Sequence, residues 1–405
     1  MSQNFDGSII GDDAQSNVVL QSAITGYSDE AYTSAKKLNS TGIVGSNPDI
    51  VADTETFIGQ ARWNTPINAA INIASLTDST DGALSDYGTS MYKYIKTVRT
   101  HGAEKINMKQ VVTQVDGLAK IGRDFGETRA QDEHNSILAT LKGVAATELF
   151  YGTDDGGLGG QTFANDPADM AYGFYVDLGG NIVSAASAAL QGAARAEALL
   201  NAFGMAYKDY EPEYAYLICS PEVYASFRSA NLVDQDRVVD GNITFNTLFQ
   251  GKFRLLQTRA NQGFTTAELV AFNTGGGVDI VGSKTSFIVL PGSIENVAVD
   301  VPLPTEITRK GAAYQGGGTT QIWSRWGGIY HPRGYSWAGS ENAFVADYTS
   351  TNQAALCGSV RKSDDNIHAA ISSNTASSGV HTNRGVWKRT SSSALSLGIL
   401  PVFHN

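Results

Sequence analysis

Residues 118–149 read LAKIGRDFGETRAQDEHNSILATLKGVAATEL, a run with neither proline nor a cluster of turn formers. Ala130, His134, Ile137, Leu138, Leu141, Val144 and Ala145 recur in it at helical spacing and give one apolar stripe. At 1.5 Å per residue, about 30 residues make a rod of about 45 Å. Gly122, Gly126 and Gly143 lower its intrinsic propensity without breaking it. Asp132, Glu133 and His134 cluster charge on this helix. Adjacent helical positions point in different directions, so they predict a solvated or interface face rather than an acid/base pair.

Working outward toward the N-terminus, Asn107 is placed to cap a short helix carrying Met108, Val111, Val112 and Val115, which Asp116-Gly117 ends. Over 60–106 the texture is β-prone. The runs Ile67–Leu76 and Tyr87–Val98 are separated by the polar stretch Thr77–Gly82, which predicts a long hairpin. A two-stranded ribbon is marginal alone in water, so it must lie on its own domain or on another subunit. Residues 1–59 hold eight acids against only Lys36 and Lys37, more than half of the net charge of the whole chain. Short apolar runs among Gly, Ser, Asn and Asp predict an extended arm with at most a short helix around Glu30–Leu38.

Toward the C-terminus, the Gly-rich stretch Gly156–Gly160 and a loop to Gly180 lead into a second, Ala-rich helix from Asn181 through Phe203. Tyr214–Cys219 has the make-up of a buried strand, and Ser220-Pro221 starts a helix to about Ser229: Ser caps free amides, and Pro at the first helical position forfeits no bond. Short strands at Phe253–Thr258, Glu268–Phe272, Val278–Val281 and Ser286–Leu290 suggest a compact α/β lobe over 232–290. After Pro291, the runs Ile294–Val301 and Gln321–Trp326 flank Gly316-Gly317-Gly318 and lead into Ile329–Trp337, within which lies His331-Pro332-Arg333-Gly334. A proline there belongs at an edge or bulge, and Arg333 is expected to pair with a carboxylate or stack on an aromatic ring. The last 45 residues are net basic, opposite in sign to the arm.

At 405 residues the chain has room for two or three domains, or for one large domain with excursions. Charged residues make up 17%, below the roughly 25% of an ordinary soluble domain, so much of the surface is uncharged and suited to burial against other subunits. With 29 basic and 40 acidic residues, the net charge of −11 argues against tight or sequence-specific binding of phosphate backbones. Cys219 and Cys357 make no disulfide framework and no CxxC pair, as expected in a reducing compartment. A basic, apolar leader and any run of about 18 apolar residues are both lacking, so neither secretion by that route nor membrane embedding is expected.

The candidate chemistry is thin. In Gly277–Thr285, Ser283 separates the second glycine from Lys284, so the stretch fails the phosphate-loop pattern and reads as a turn between strands. The six histidines are dispersed, without the HxxxH or HExxH spacing that puts two metal ligands on one helical face. There is no GxSxG elbow, and Cys219 in an apolar strand is expected to be inert. No catalytic residue, cofactor or metal is predicted.

The order of elements, the run from Arg129-Ala130-Gln131-Asp132-Glu133 through Leu141-Lys142-Gly143-Val144, and the stretch Gly327–Gly339 around HPRGYSW resemble the major capsid proteins of tailed bacteriophages. The resemblance spans about Gln60–Gly339, with Trp387-Lys388-Arg389 and the chain end beyond it. It implies an α+β fold of the Hong Kong 97-like kind. In this division 1–59 is an N-terminal arm, 60–106 an extended hairpin loop, and 107–231 a peripheral domain with a spine helix. Residues 232–290 form an axial domain, and 291–405 the return of the peripheral domain with the C-terminal segment. The resemblance implies no enzyme but a subunit that associates with itself in hexamers and pentamers, forming the icosahedral virion shell around double-stranded DNA. Its partners would be scaffolding, portal and decoration proteins, with non-specific contact to packaged DNA and none to membrane, and assembly in the host cytoplasm. A cellular, encapsulin-like compartment shell is the alternative, and a hydrolase or nucleotide-binding enzyme a more distant one. Some relatives cross-link Lys to Asn, but no Lys lies between Thr77 and Asp86, so that chemistry is not carried over. The residues expected at contacts between subunits are Asp78, Asp81, Asp86, Arg129, Glu133 and Arg333.

Overall fold

Two helices dominate the N-terminal part of the chain, α1 (Ala14–Ala35, 22 residues) and α2 (Gly117–Thr153, 37 residues). The computed structural model describes residues 14–36, 38–47, 49–50, 58–64, 89–106, 117–153, 176–178, 192–207, 212–240, 243–257, 284–310, 319–337, 387–389 and 397–404. At 37 residues, α2 is a rod of about 55 Å. Each residue of the stripe read from the sequence, from Ala130 and His134 to Val144 and Ala145, is buried. The structure differs at the arm, where the sequence predicts at most a short helix and α1 lies along α2 instead. Gly122 and Gly126 are the reason. A Cβ on Gly126 would sit 2.2 Å from the Ser28 carbonyl oxygen, and one on Gly122 would sit 2.8 Å from Cβ of Tyr27. The two glycines that weaken α2 on propensity thus form a notch for the backbone of α1, and α1 owes its helical state to that packing.

The first strands in the chain are β1 (Val44–Gly45), β2 (Ile58–Asn64), β3 (Thr89–Ile95), β4 (Thr97–Ile106), β5 (Val176–Leu178) and β6 (Ala215–Cys219). They are followed by β7 (Val233–Asp240), β8 (Ile243–Leu248), β9 (Phe253–Gln257), β10 (Lys284–Val289), β11 (Ile294–Val299) and β12 (Thr305–Lys310). The last are β13 (Thr319–Pro332), β14 (Tyr335–Trp337), β15 (Trp387–Arg389) and β16 (Ile399–His404). Two further helices are α3 (Gly192–Tyr207) and α4 (Pro221–Ser229). Together they make an α+β architecture.

Strand β13 organises a five-stranded sheet in the order β1-β11-β13-β12, with β4 on its other flank: Ile322 stands opposite both Ile307 of β12 and Ala103 of β4. Ile322 packs with Ile24 of α1 and Phe125 of α2, so the two helices cover that face of the sheet. On the other face Trp323 lies across Gly102 of β4, where a Cβ would come within 2.5 Å of the indole.

The second sheet has seven strands in the order β5-β16-β10-β6-β9-β8-β7. Strand β6 is buried throughout, as its apolar run predicts, and pairs parallel with β9 and antiparallel with β10. The main core joins this sheet to α3, α4, the C-terminal half of α2, and Leu38 and Ile43 of the arm. Helix α4 starts as the sequence predicts, with Ser220 Oγ accepting from the Val223 amide at 3.5 Å and Pro221 in the first turn. The second helix is described only from Gly192 and runs on to Tyr207, past the expected end at Phe203.

The hairpin is present at its root, where β2 and β3 pair antiparallel from Ile58–Ile95 to Asn64–Thr89. Its inner side, Ala61, Tyr92 and Tyr94, packs on Ile50 and on Ile329 of β13, so the root rests on its own chain. The expected run Ile67–Leu76 and the tip, the short helix after Asn107, Gly156–Gly160, the strands at 268–272 and 278–281 and the turn 316–318 lie outside the described residues. Strands β14 and β15 form a separate pair with Trp337 opposite Trp387.

A matched pair of substitutions tests the glycine notch. Gly126→Ala puts a methyl group into backbone and should cost about 1–3 kcal/mol in chemical denaturation. Gly204→Ala in α3, with nothing within 4 Å of the new methyl, should gain up to about 1 kcal/mol.

Candidate functional site

The polar residues of α2 are aimed at three different neighbours. Glu133, 5% exposed, accepts hydrogen bonds from Tyr32 Oη and Asn39 Nδ2, each at 2.6 Å, and pairs with Arg129 one turn earlier at 3.2 Å. The Arg129 guanidinium lies over the Tyr32 ring, 4.2 Å from its centre. Asn39 in turn accepts from Asn296 of β11 at 2.7 Å, which closes a network from the arm through α2 to the sheet. Burial, and after it the Glu133 carboxylate, holds the Tyr32 phenol far above its ordinary pKa, so it remains a donor. Asp132 accepts from Trp326 Nε1 at 2.9 Å and faces Arg99 Nε at 3.5 Å. Glu148, fully buried, accepts from Tyr335 Oη at 2.9 Å.

A second junction ties the arm to the seven-stranded sheet. Asp240 on β7 accepts from the Tyr216 hydroxyl, from Arg254 at 3.0 Å and from the Gly42 amide at 3.2 Å. Arg254 also stacks on Tyr214, 3.7 Å from the ring centre.

The HPRG segment closes the end of β13. Pro332 is the last residue of that strand, and the next amide, that of Arg333, bonds the Ser293 carbonyl at 2.9 Å. Gly334 takes φ +84°, the left-handed turn that leads into β14. His331 is 2% exposed, stacked on Tyr92 of the hairpin root (ring centres 4.8 Å apart) and edge-on to Trp387 of β15 at 5.5 Å. Burial pulls its pKa down to about 3, against a weaker opposing hydrogen bond with the Tyr335 backbone. Its cross-strand partner Glu295 is pushed the other way, above the usual carboxylate range, chiefly by burial.

Of the residues singled out from sequence, Arg129 and Glu133 are brought together, and the partners described for Glu133 belong to its own chain. Asp78, Asp81 and Asp86 lie outside the described residues. Arg333 is exposed, and its charge acts on Glu295. The solvated or interface face expected at Asp132-Glu133-His134 is corrected: Glu133 and His134 are buried, because α1 and β13 pack over this stretch of α2. Cys219 is buried and its thiol pushed up to about 12 by that burial, which suits an inert core residue. Tyr32, Asn39, Asp240 and Arg254 were not singled out; they act across the tertiary fold, and no local spacing marks them. Among the described residues no group of three or more His, Cys, Asp or Glu could hold a metal ion, and no helix is long and apolar enough to cross a membrane.

No family model matches the chain, and no curated protein matches it. Solved structures do. The chain is similar to the capsid of Ralstonia phage GP4, at 14% identity over 74% of this chain and 87% of that one, with a TM-score of 0.46. It is similar to the head structure of Helicobacter pylori bacteriophage KHP40, at 8% identity over 91% of each chain and a TM-score of 0.46. A third match is the Cyanophage Pam1 capsid asymmetric unit, at 11% identity over 75% of this chain and 87% of that one, with a TM-score of 0.43. All three are phage heads or capsids.

The Glu133 network makes a measurable demand on stability. Glu133→Ala leaves Arg129, Asn39 and Tyr32 without their shared acceptor and should cost about 2–4 kcal/mol, whereas Tyr32→Phe should cost about 1 kcal/mol. Denaturant midpoints of the two single variants and the double variant check this, the double falling short of the sum.

Proposed function

We propose that this chain is the major capsid protein of a tailed bacteriophage, with the Hong Kong 97-like arrangement, a structural subunit rather than an enzyme. The observation that carries this reading is the order of elements around α2. An arm helix docks on it, a hairpin root follows, and the 37-residue helix itself runs from the five-stranded sheet into the core of the seven-stranded one. The last strand, β16, returns to that second sheet. In this reading 1–59 is the arm, 60–106 the extended loop and 107–231 the peripheral domain. Residues 232–290 are the axial domain, supplying β7, β8, β9 and β10 to a sheet that β5, β6 and β16 complete from outside those bounds, and 291–405 otherwise return to the peripheral domain.

Copies of the chain associate in hexamers and pentamers and close into a shell around double-stranded DNA, in the host cytoplasm and with scaffolding, portal and decoration proteins. DNA contact is weak and non-specific, in keeping with a net charge of −11. Asp78, Asp81 and Asp86, the outer edge of Arg129 and the exposed Arg333 are the contacts proposed between subunits. Glu133 enters only by holding Arg129. An encapsulin-like compartment is the second reading, and the contents of purified particles separate the two: nuclease-protected DNA or enclosed protein.

Negative-stain microscopy and sedimentation of the expressed chain should show capsomers or closed shells. A single monomeric species at high concentration, with and without a scaffolding partner, would overturn the reading. Deleting Ser75–Asp86, whose only apolar members are Leu76, Ala83 and Leu84, should leave the melting temperature almost unchanged and abolish or distort particles.

A further inference from the structure

His331 sits where three separate pieces of chain meet. It belongs to the end of β13, stacks on Tyr92 of the hairpin root and meets the edge of Trp387 in β15, whose ring is also edge-on to Trp337 at 5.1 Å. Tyr92 is fixed from outside by Asn47, which donates to its hydroxyl at 3.0 Å. Nδ1 of His331 is buried and has no hydrogen-bond partner among the described residues. In the neutral ring this leaves one unpaired acceptor, a smaller penalty than an unpaired buried charge. In a protonated ring the second N–H would point at nothing, and it can be solvated only by parting from Tyr92 or Trp387.

We propose that His331 is an acid-operated latch: neutral, it holds the hairpin root and β15 to the end of β13, and protonation releases both. None of the charged groups around it is hydrogen-bonded to Nδ1 as a counter-charge. Glu295 stands directly opposite on β11, with Asp49 and Arg333 near it, but its burial favours the neutral carboxyl, so acid discharges it before the ring would accept a proton. From α2, Glu148 is engaged by Tyr335. Lys93 on β3 is exposed and adds positive charge only.

The sign follows from the two states of the ring. Released, it titrates near its ordinary 6.5; latched, near about 3. The latched form is therefore fully favoured above 6.5 and is lost as pH falls, the opening constant rising about tenfold per pH unit down to about 3. Neutralising Glu295 acts in the opposite direction, since its raised pKa favours the closed form in acid.

Hydrogen–deuterium exchange of the full chain at pH 7, 6, 5 and 4, corrected for intrinsic rates, reads the latch. Protection in 89–95 and 387–389 should fall about tenfold per unit below pH 6 while 117–153 stays protected. His331→Gln should flatten that dependence, and Glu295→Gln should keep it. Equal loss in all three segments, or the same pH dependence in His331→Gln, overturns the latch. Should His331→Gln fail to fold, NMR titration of the ring in the unaltered chain decides: protonation displaced below pH 6.5 and accompanied by loss of protection in 89–95 and 387–389 supports the latch, and titration of the ring with both segments still protected overturns it.

Discussion

A single helix of 37 residues cannot bury its faces against itself, and the rest of this fold follows from how α2 is covered. Its C-terminal half, from Ile137 to Ala145, is absorbed into the core of the seven-stranded sheet. Its N-terminal half has a thinner apolar content, and the covering there is made by close approach: α1 descends on Gly122 and Gly126 until backbone meets backbone, and Phe125 reaches Ile322 of the five-stranded sheet. Glycine in a helix interior costs about 1 kcal/mol relative to alanine, so two of them in one turn are tolerable only where the contact they permit returns more. The Tyr32–Glu133–Arg129 network at the next turn fixes α1 in register along that seam.

How much of this was legible in the sequence depends on the range over which each signal acts. The stripe of α2 was legible residue by residue, because its 3.6-residue period is local and the core confirms it. The start of α4 was legible for the same reason, since Ser220-Pro221 carries the cap within three residues. Helix α1 was not, because its sequence of serines, threonines and glycine has little preference of its own and takes its conformation from α2. Glu133 stands out as a charge on the helix, but nothing in the run 129–133 announces that Tyr32 and Asn39 cover it. His331 stood out through its proline and aromatic neighbours, yet the partner that encloses it, Trp387, lies 56 residues further on. Local chemistry can mark such a residue but cannot name what closes over it.

The arm and the hairpin root meet the body on adjacent residues of one strand. On β11, Asn296 donates to Asn39 of the arm, while Glu295 shares a hydrogen bond with Asn47, the residue that holds Tyr92. Successive side chains of a strand point to opposite faces, so the arm network lies on one side of this sheet and the hairpin root on the other. The cross-strand partners keep the same division: Asn296 faces Tyr330, whose surroundings include Tyr32 and Glu133, and Glu295 faces His331. A shift of β11 cannot therefore loosen one attachment without straining the other. The arm and the hairpin root are thus held by a single sheet, and their directions are set together.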